Sequence, residues 1–330
     1  MRTAERLDAV YEKALPVPFD DSSKFVFFSD VHRSDDSLSD EFGRNKHIYL
    51  RALNYYYDNN FTYVEIGDGD ELWEGPRFEI IRNAHAQIFD TLKKFFDLDR
   101  LYMIYGNHNV QLANEEFVKN NYYDVYDEYL GKKLPLFPGL QVHEGIILTH
   151  RNTDQQLFLV HGHQGDFMND QFSFFSHFVV RFLWRYMHLV GFKYLASPAK
   201  SRRKRHKVEK NFSRWNSDND TIIICGHTHR PRFPDPGEGA YFNTGTCIHP
   251  RGITCLELLY GKLLLVMWHV SVKRDGQMYI KRTVLKGPQP ISKYMGKHEG
   301  YKDKYDNEVA TFAKKIVIVD EEDANENRQK

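Results

Sequence analysis

Runs of apolar, β-branched and aromatic residues recur along the chain, and each early run ends on a polar residue able to do chemistry. They are Lys24–Asp30 (KFVFFSD), Thr62–Asp68 (TYVEIGD), Leu101–Asn107 (LYMIYGN), Gln156–Gly162 (QLFLVHG) and Thr221–His227 (TIIICGH). Short runs of this kind, without helical spacing, read as buried strands. Helical patterns lie between the first three, at Arg44–Asn59 and Phe78–Phe96, so the predicted class is α/β. Four later segments, Tyr241–Cys247, Gly252–Tyr260, Lys262–Val272 and Met278–Leu285, have short glycine-containing connections. They are predicted to form an antiparallel set that closes the fold. From Lys286 the chain turns polar and ends in DEEDANENRQK, a composition expected to stay disordered. The predicted main domain is therefore 1–285, with an insertion at about 168–215 and a polar extension at 286–330.

Composition narrows the partners. The 330 residues include 45 basic and 45 acidic side chains, so no global field draws the chain to nucleic acid or membrane. An anionic partner must be attracted by a local patch or by bound metal. Cys225, Cys247 and Cys255 show no paired spacing, which speaks against a disulfide framework and for a reducing compartment. The opening MRTAERLDAVYEKALP is charged and helix-like, without the apolar core of a secretory signal. With no apolar run of about 18 residues, no spanning helix is expected. The expected location is cytoplasmic, peripheral to the inner face of a membrane if a local segment touches lipid.

The strand ends carry the candidate chemistry, as loops at the carboxyl ends of α/β strands commonly do. Asp30 and His32 are two apart, so in an extended segment both would point to one side. Gly67-Asp68 and Gly106-Asn107-His108 place a carboxylate, an amide and an imidazole after glycines. His161, His227 and His229 supply three further imidazoles, the last two again at period-2 spacing. Imidazole nitrogen mixed with carboxylate and amide oxygen suits Mn, Fe, Zn or Co better than Ca. Seven such ligands with one carboxylate shared suit two divalent ions. Two ions about 3.5–4 Å apart lower the pKa of a shared water and neutralise both attacking and leaving oxygens. A lone Asp-x-His or Gly-His-x-His is weak evidence for metal; five elements in order, each at a strand end, are strong evidence. His163 competes with His161, which the strand end favours. Asp166 reads either as support for a ligand or as a helix start. His143, His150, His177, His188 and His249 read as surface or packing residues.

The order DVH, GDGDE, GNHN, VHG and GHTH resembles the calcineurin-like metallophosphoesterases. The resemblance implies a four-layer α/β/β/α sandwich carrying a helical insertion. It implies that Asp30, His32 and His229 hold one metal and that Asn107, His161 and His227 hold the other. Asp68 bridges them, a metal-bridging hydroxide attacks phosphorus, and His108 is the catalytic imidazole on the leaving-group side. The family pattern also favours His161 over His163. One position departs from the pattern: an acidic residue often follows Gly-Asn-His, and here Asn109 stands. An amide cannot stabilise an imidazolium as a carboxylate does, so another acid must serve, and Asp70 and Glu71 are the candidates.

Between the fourth and fifth runs, Gln171–Val190 places His177, Arg181, Arg185 and His188 on one helical stripe among apolar residues. The basic run Lys200–Lys207 follows. This segment reads either as a core helix with a charged turn, or as an insertion offering apolar surface to an acyl chain or bilayer and cations to phosphate. The insertion, Trp73 and Asn243-Thr244-Gly245 resemble the bacterial UDP-2,3-diacylglucosamine pyrophosphatase branch, which implies manganese and a nucleotide-linked or lipid-linked phosphorylated substrate. Phosphoprotein and nucleic acid are the alternative substrates, nucleic acid the less favoured. A non-catalytic metal-binding scaffold is the alternative from another class, and it would be expected to lack ligands.

Overall fold

The structure is a computed structural model and describes residues 3–73, 77–127, 129–165 and 202–294. Asp166, residues 171–201 of the expected insertion and residues 295–330 lie outside them. The first half runs α1 (Thr3–Tyr11), β1 (Leu15–Phe19), β2 (Lys24–Phe28), α2 (Lys46–Asp58), β3 (Thr62–Ile66), α3 (Phe78–Ala84), α4 (Ala86–Phe96), β4 (Leu101–Ile104) and α5 (Glu115–Tyr122). Short strands follow: β5 (Asp124–Asp127), β6 (Lys132–Pro135), β7 (Val142–His143), β8 (Gly145–His150) and β9 (Gln156–Val160). Then come α6 (Arg202–Asn219), β10 (Ile222–Cys225), β11 (Tyr241–Asn243), β12 (Ile253–Leu259), β13 (Lys262–Val272) and β14 (Met278–Pro290).

Two mixed sheets result, one ordered β14-β13-β12-β2-β3-β4-β7 and the other β1-β8-β9-β10-β11. The period-2 geometry of each central strand explains why they stack. Phe25 and Phe27 of β2 face the core between the sheets, while Val26 and Phe28 face α2 and α4. Leu157 and Leu159 of β9 join that inner core, while Phe158 and Val160 pack with Leu7 of α1 and Phe212 and Trp215 of α6. Both faces of both sheets are thus covered by apolar contacts, which yields the α/β/β/α sandwich. Helix α4 covers its sheet through a stripe at Ile88, Phe89, Leu92 and Phe95, with Asp90 and Lys94 outward.

Four details differ from the sequence pattern. The single helix expected at Phe78–Phe96 is broken at His85 (φ −124°) into α3 and α4. At the break, buried His85 turns its Nε2 to Asp40 Oδ2 at 3.3 Å. The strand at Tyr241 leaves the antiparallel set: β11 pairs parallel with β10, and only β12, β13 and β14 are antiparallel. The connection between β10 and β11 is long enough for the crossover that parallel pairing needs. β1 gives no clear strand signal because Pro16 and Pro18 interrupt it, yet it pairs with β8 at a sheet edge, where proline is tolerated. Finally, β14 continues past Leu285 to Pro290, and Ile291 is buried in the inter-sheet core.

Candidate metal centre

Strands β2, β3 and β4 run parallel, as do β9 and β10 in the facing sheet. Their carboxyl ends deliver Asp30, Asp68, Asn107, His161 and His227, all of them buried. The local backbone is not the extended ribbon that period-2 spacing suggests. Asp30 (φ 49°), His32 (φ 52°), Asp68 (φ 52°), His227 (φ 66°) and His229 (φ 53°) are all left-handed. That conformation costs an L-residue roughly 1–2 kcal/mol, and Asp, Asn and His tolerate it best. Asp30 and His32 still reach one group, while His227 and His229 divide between two, and the Asp30–His32 loop is held by backbone pairing. Asp30 N donates to Gly67 O (3.1 Å), His32 N to Asp68 O (2.9 Å) and Arg33 N to Gly69 O (2.9 Å). The pairing of β2 with β3 thereby continues through both ligand loops.

The side chains converge in two groups. Donor atoms of Asp30, His32 and His229 lie within 4.8 Å of one another, and so do those of Asp68, His161 and His227. Asp68 touches both groups: its Oδ2 is 3.0 Å from His161 Nε2 and 4.0 Å from His32 Nε2. Its Oδ1 accepts the His108 N–H at 2.8 Å. Gly106 is required alongside, because a Cβ there would lie 2.1 Å from Asp68 Oδ1. His161, rather than His163, joins Asp68. The His163 ring is buried 5.6 Å from that of His161, and burial together with His161 and His227 keeps it neutral.

Orientation of the rings favours metal. His161 Nδ1 faces Ile66 O at 2.9 Å and His32 Nδ1 faces Glu71 Oε2 at 2.8 Å, so both Nδ1 atoms donate and both Nε2 lone pairs are left inward. His32 Nε2 and His229 Nε2 stand 3.3 Å apart. Asn107 Oδ1 and His227 Nε2 are buried without a hydrogen-bond partner. Buried acceptors of this kind are costly unless something positive meets them. A mixed N/O donor set with orphaned inward acceptors fits two transition-metal ions.

Electrostatics in the metal-free protein follow from the same contacts. Burial opposes charge on every group, yet His229 and His161 hold Asp30 down at about 2. Burial likewise works against a charged His161, but Asp68 holds it up at about 9. His227, desolvated and beside His161, is pushed down to about 3.

His108 stands apart, with a side chain 27% exposed. Of the two candidate acids, Glu71 serves it: His108 Nδ1 lies 2.7 Å from Glu71 Oε2. Asp70 instead accepts from Arg33 Nε (2.7 Å) and from Tyr122 OH (2.7 Å). Burial would raise the Glu71 carboxyl, but His108 and His32 hold it well below the usual carboxylate range. Asn109 has a backbone task, accepting the Gly106 N–H at 2.6 Å. Asn243 likewise braces the His227–His229 loop, donating to Gly226 O at 2.6 Å.

Sequence reasoning missed the charge cluster beneath the site. Arg33, fully buried, pairs with Glu65 (2.7 and 2.8 Å) as well as Asp70. The signal was Gly69 in GDGDE: a Cβ there would stand 1.8 Å from Glu65 Oε1 and 2.6 Å from Arg33 Nη2.

The sandwich, with carboxylate, amide and imidazole donors gathered at its facing strand ends, defines a hydrolase of phosphoester bonds. The sequence profile of the calcineurin-like phosphoesterases matches residues 23–231. The chain belongs to that family, which is dinuclear-metal-dependent. No curated protein matches significantly. Among solved structures, the chain is similar to a Streptococcus pneumoniae protein described as a predicted phosphoesterase (13% identity, 79% of this chain, 97% of that one, TM-score 0.32). It is also similar to vacuolar protein sorting 29 from Cryptosporidium parvum (12% identity, 80% and 98%, TM-score 0.36). The same protein from Chaetomium thermophilum is similar at 9% identity (82% and 99%, TM-score 0.38). Scores this low bear on neither fold nor substrate. Among the described residues no helix is long and apolar enough to cross a membrane.

Proposed function

We propose that this chain hydrolyses a pyrophosphate or phosphodiester in a nucleotide-linked or lipid-linked substrate, with manganese as the working metal. Asp30, His32 and His229 would hold one ion, Asn107, His161 and His227 the other, and Asp68 both. The observation that carries this reading is the position of Asp68 between the two groups, with the His108–Glu71 pair beside it. When bound, the two ions supply an acidified water and neutralise charge on the reacting oxygens.

The chain's own residues supply the rest. Glu71 accepts a hydrogen bond from His108 Nδ1–H and would stabilise the imidazolium, whose second proton, on Nε2, is the one given to the departing oxygen. The same carboxylate fixes His32. Asn107 offers an uncharged oxygen, so the donor set is less negative than an all-carboxylate one and tolerates an anionic substrate. The sequence of the 171–207 segment, rich in aromatics and arginine, supports an acylated or anionic substrate.

The test is a screen of mono-, di- and pyrophosphate esters with Mn, Fe, Co and Zn. Release of a nucleoside monophosphate from a nucleotide sugar, fastest with Mn, is expected. Faster cleavage of aryl phosphomonoesters would replace the reading with a phosphomonoesterase. Polynucleotide degradation that falls steeply with salt would replace it with a nuclease. Two bound ions without any hydrolysis would leave a metal-binding scaffold.

A further inference from the structure

Trp73 packs directly on His108. The ring centroids lie 4.6 Å apart at 61°, and the indole is 8% exposed. The imidazole also meets His32, ring to ring at 4.7 Å and 87°. His108 therefore contacts both an aromatic wall and a candidate metal ligand, with Glu71 at its Nδ1 edge.

The backbone around Trp73 is tied to the His108 loop. Leu72 N donates to His108 O at 3.1 Å, and Gln111 Nε2 donates to Leu72 O at 3.4 Å. Trp73 N donates to Glu71 Oε1 at 3.2 Å, so the carboxylate that serves both imidazoles through Oε2 is steadied through its other oxygen. Leu72 is itself buried in the core beneath α2 and α4, which pegs this segment to the rigid body of the fold.

A mostly buried indole has little face left for substrate, but a partly exposed imidazole needs something to fix its ring. We propose that Trp73 is a positioning residue for His108, holding the imidazole plane so that Nε2 meets the leaving oxygen. The inference rests on the reading of His108 as the group that serves that oxygen. A ring displaced by 1 Å loses on the order of 100-fold in an oriented step. The loss must grow with the basicity of the leaving group, because a good leaving group needs little help from an acid.

The experiment compares wild type, Trp73→Ala, Trp73→Phe and His108→Ala, each loaded with Mn. Substrates are a p-nitrophenyl and an alkyl phosphodiester, and metal content is measured alongside. Trp73→Ala should lower kcat at least ~10-fold on the alkyl ester and under ~3-fold on the p-nitrophenyl ester, with KM and metal content unchanged. Trp73→Phe, which keeps a ring against His108, should recover most of the activity. Equal losses on both esters, or unchanged kcat on the alkyl ester, would overturn the proposal. If Trp73→Ala does not fold, Trp73→Phe and Trp73→Leu decide it: Leu must show the leaving-group dependence and Phe must not. His108→Ala separates the two readings. If it shows no leaving-group dependence, the His108 role fails; if it does while the Trp73 variants do not, only the Trp73 role fails.

Discussion

Replacing Glu71 by glutamine tests the pairing that the catalytic reading depends on. Glu71 Oε2 receives His32 Nδ1 at 2.8 Å and His108 Nδ1 at 2.7 Å, while Oε1 receives the Trp73 N–H at 3.2 Å. Both oxygens are acceptors, so an amide cannot satisfy every donor: its NH2 must face either two imidazole N–H groups or the Trp73 N–H. Charge-assisted hydrogen bonds contribute about 1.5–3 kcal/mol and neutral ones about 0.5–1.5, so each imidazole loses roughly 1 kcal/mol. Two such losses lower kcat by about 30-fold, at 1.36 kcal/mol per tenfold. The assay is Mn-supported diester hydrolysis, with metal stoichiometry measured on the same sample. In a His108→Ala background only the His32 part remains, and the same substitution should cost about 5-fold. A Glu71→Gln enzyme within 3-fold of wild type, or an equal 30-fold loss in both backgrounds, would refute the pairing.

Other outcomes follow from the same geometry. His108→Ala should lower kcat by about 10²–10⁴-fold with both metals retained; turnover within a few-fold would remove His108 from the chemistry. Gly69→Ala forces a methyl into Glu65 and Arg33, and overpacking at that site should cost at least about 1–3 kcal/mol, read as a lower midpoint in urea. Arg33→Met should cost more, about 3–5 kcal/mol, because it leaves two buried carboxylates without their cation. The metal-free protein should carry a pH signature from His161. Its folded pKa of about 9 lies above the ordinary 6.5, so its stabilisation is full below pH 6.5 and lost as pH rises through 9. Metal needs the neutral imidazole, so affinity should climb across that same window with proton release, measurable by titration calorimetry in two buffers. Affinity that is flat from pH 6.5 to 9 would remove His161 from the ligand set.

Much of the sandwich was legible because its strands are buried on both faces. KFVFF, QLFLV and TIIIC carry apolar side chains on both sides of the pleat, and the polar residue after each marks where the strand leaves the core. The strand ends that carry the candidate ligands were legible for the same reason. Other features depend on contacts between distant segments, which spacing alone does not encode. Asp70 and Glu71 are adjacent in sequence, yet one turns to Arg33 and Tyr122 while the other turns to the imidazoles. That division follows from Glu71 N donating to Arg33 O at 2.9 Å, a register set by two loops pairing as an isolated bridge between Arg33 and Asp70. β1 was hidden by its prolines, and the parallel direction of β11, though not its existence, by a crossover that short-range pattern does not reveal.

The left-handed ligand loops and the buried ions beneath them answer a common physical need. Asn107 Oδ1 and His227 Nε2 are buried beside Asp68 without a hydrogen-bond partner, a cost that opposes gathering them there unless metal meets them. Asp30 and His32, two of the left-handed residues, cannot relax cheaply while their amides stay paired to Gly67 O and Asp68 O. Arg33 locks that pairing from below, holding Glu65 and Asp70 together across the β3 loop that carries Asp68. Strain in the ligand loops is thus opposed by a charge cluster too deep for solvent to screen. This account requires Arg33→Lys to keep the fold better than Arg33→Met yet weaken metal binding, because a single ammonium cannot grip Glu65 through two nitrogens and Asp70 through a third. Retention of full metal affinity in Arg33→Lys would show that the left-handed loops hold their shape without the fork.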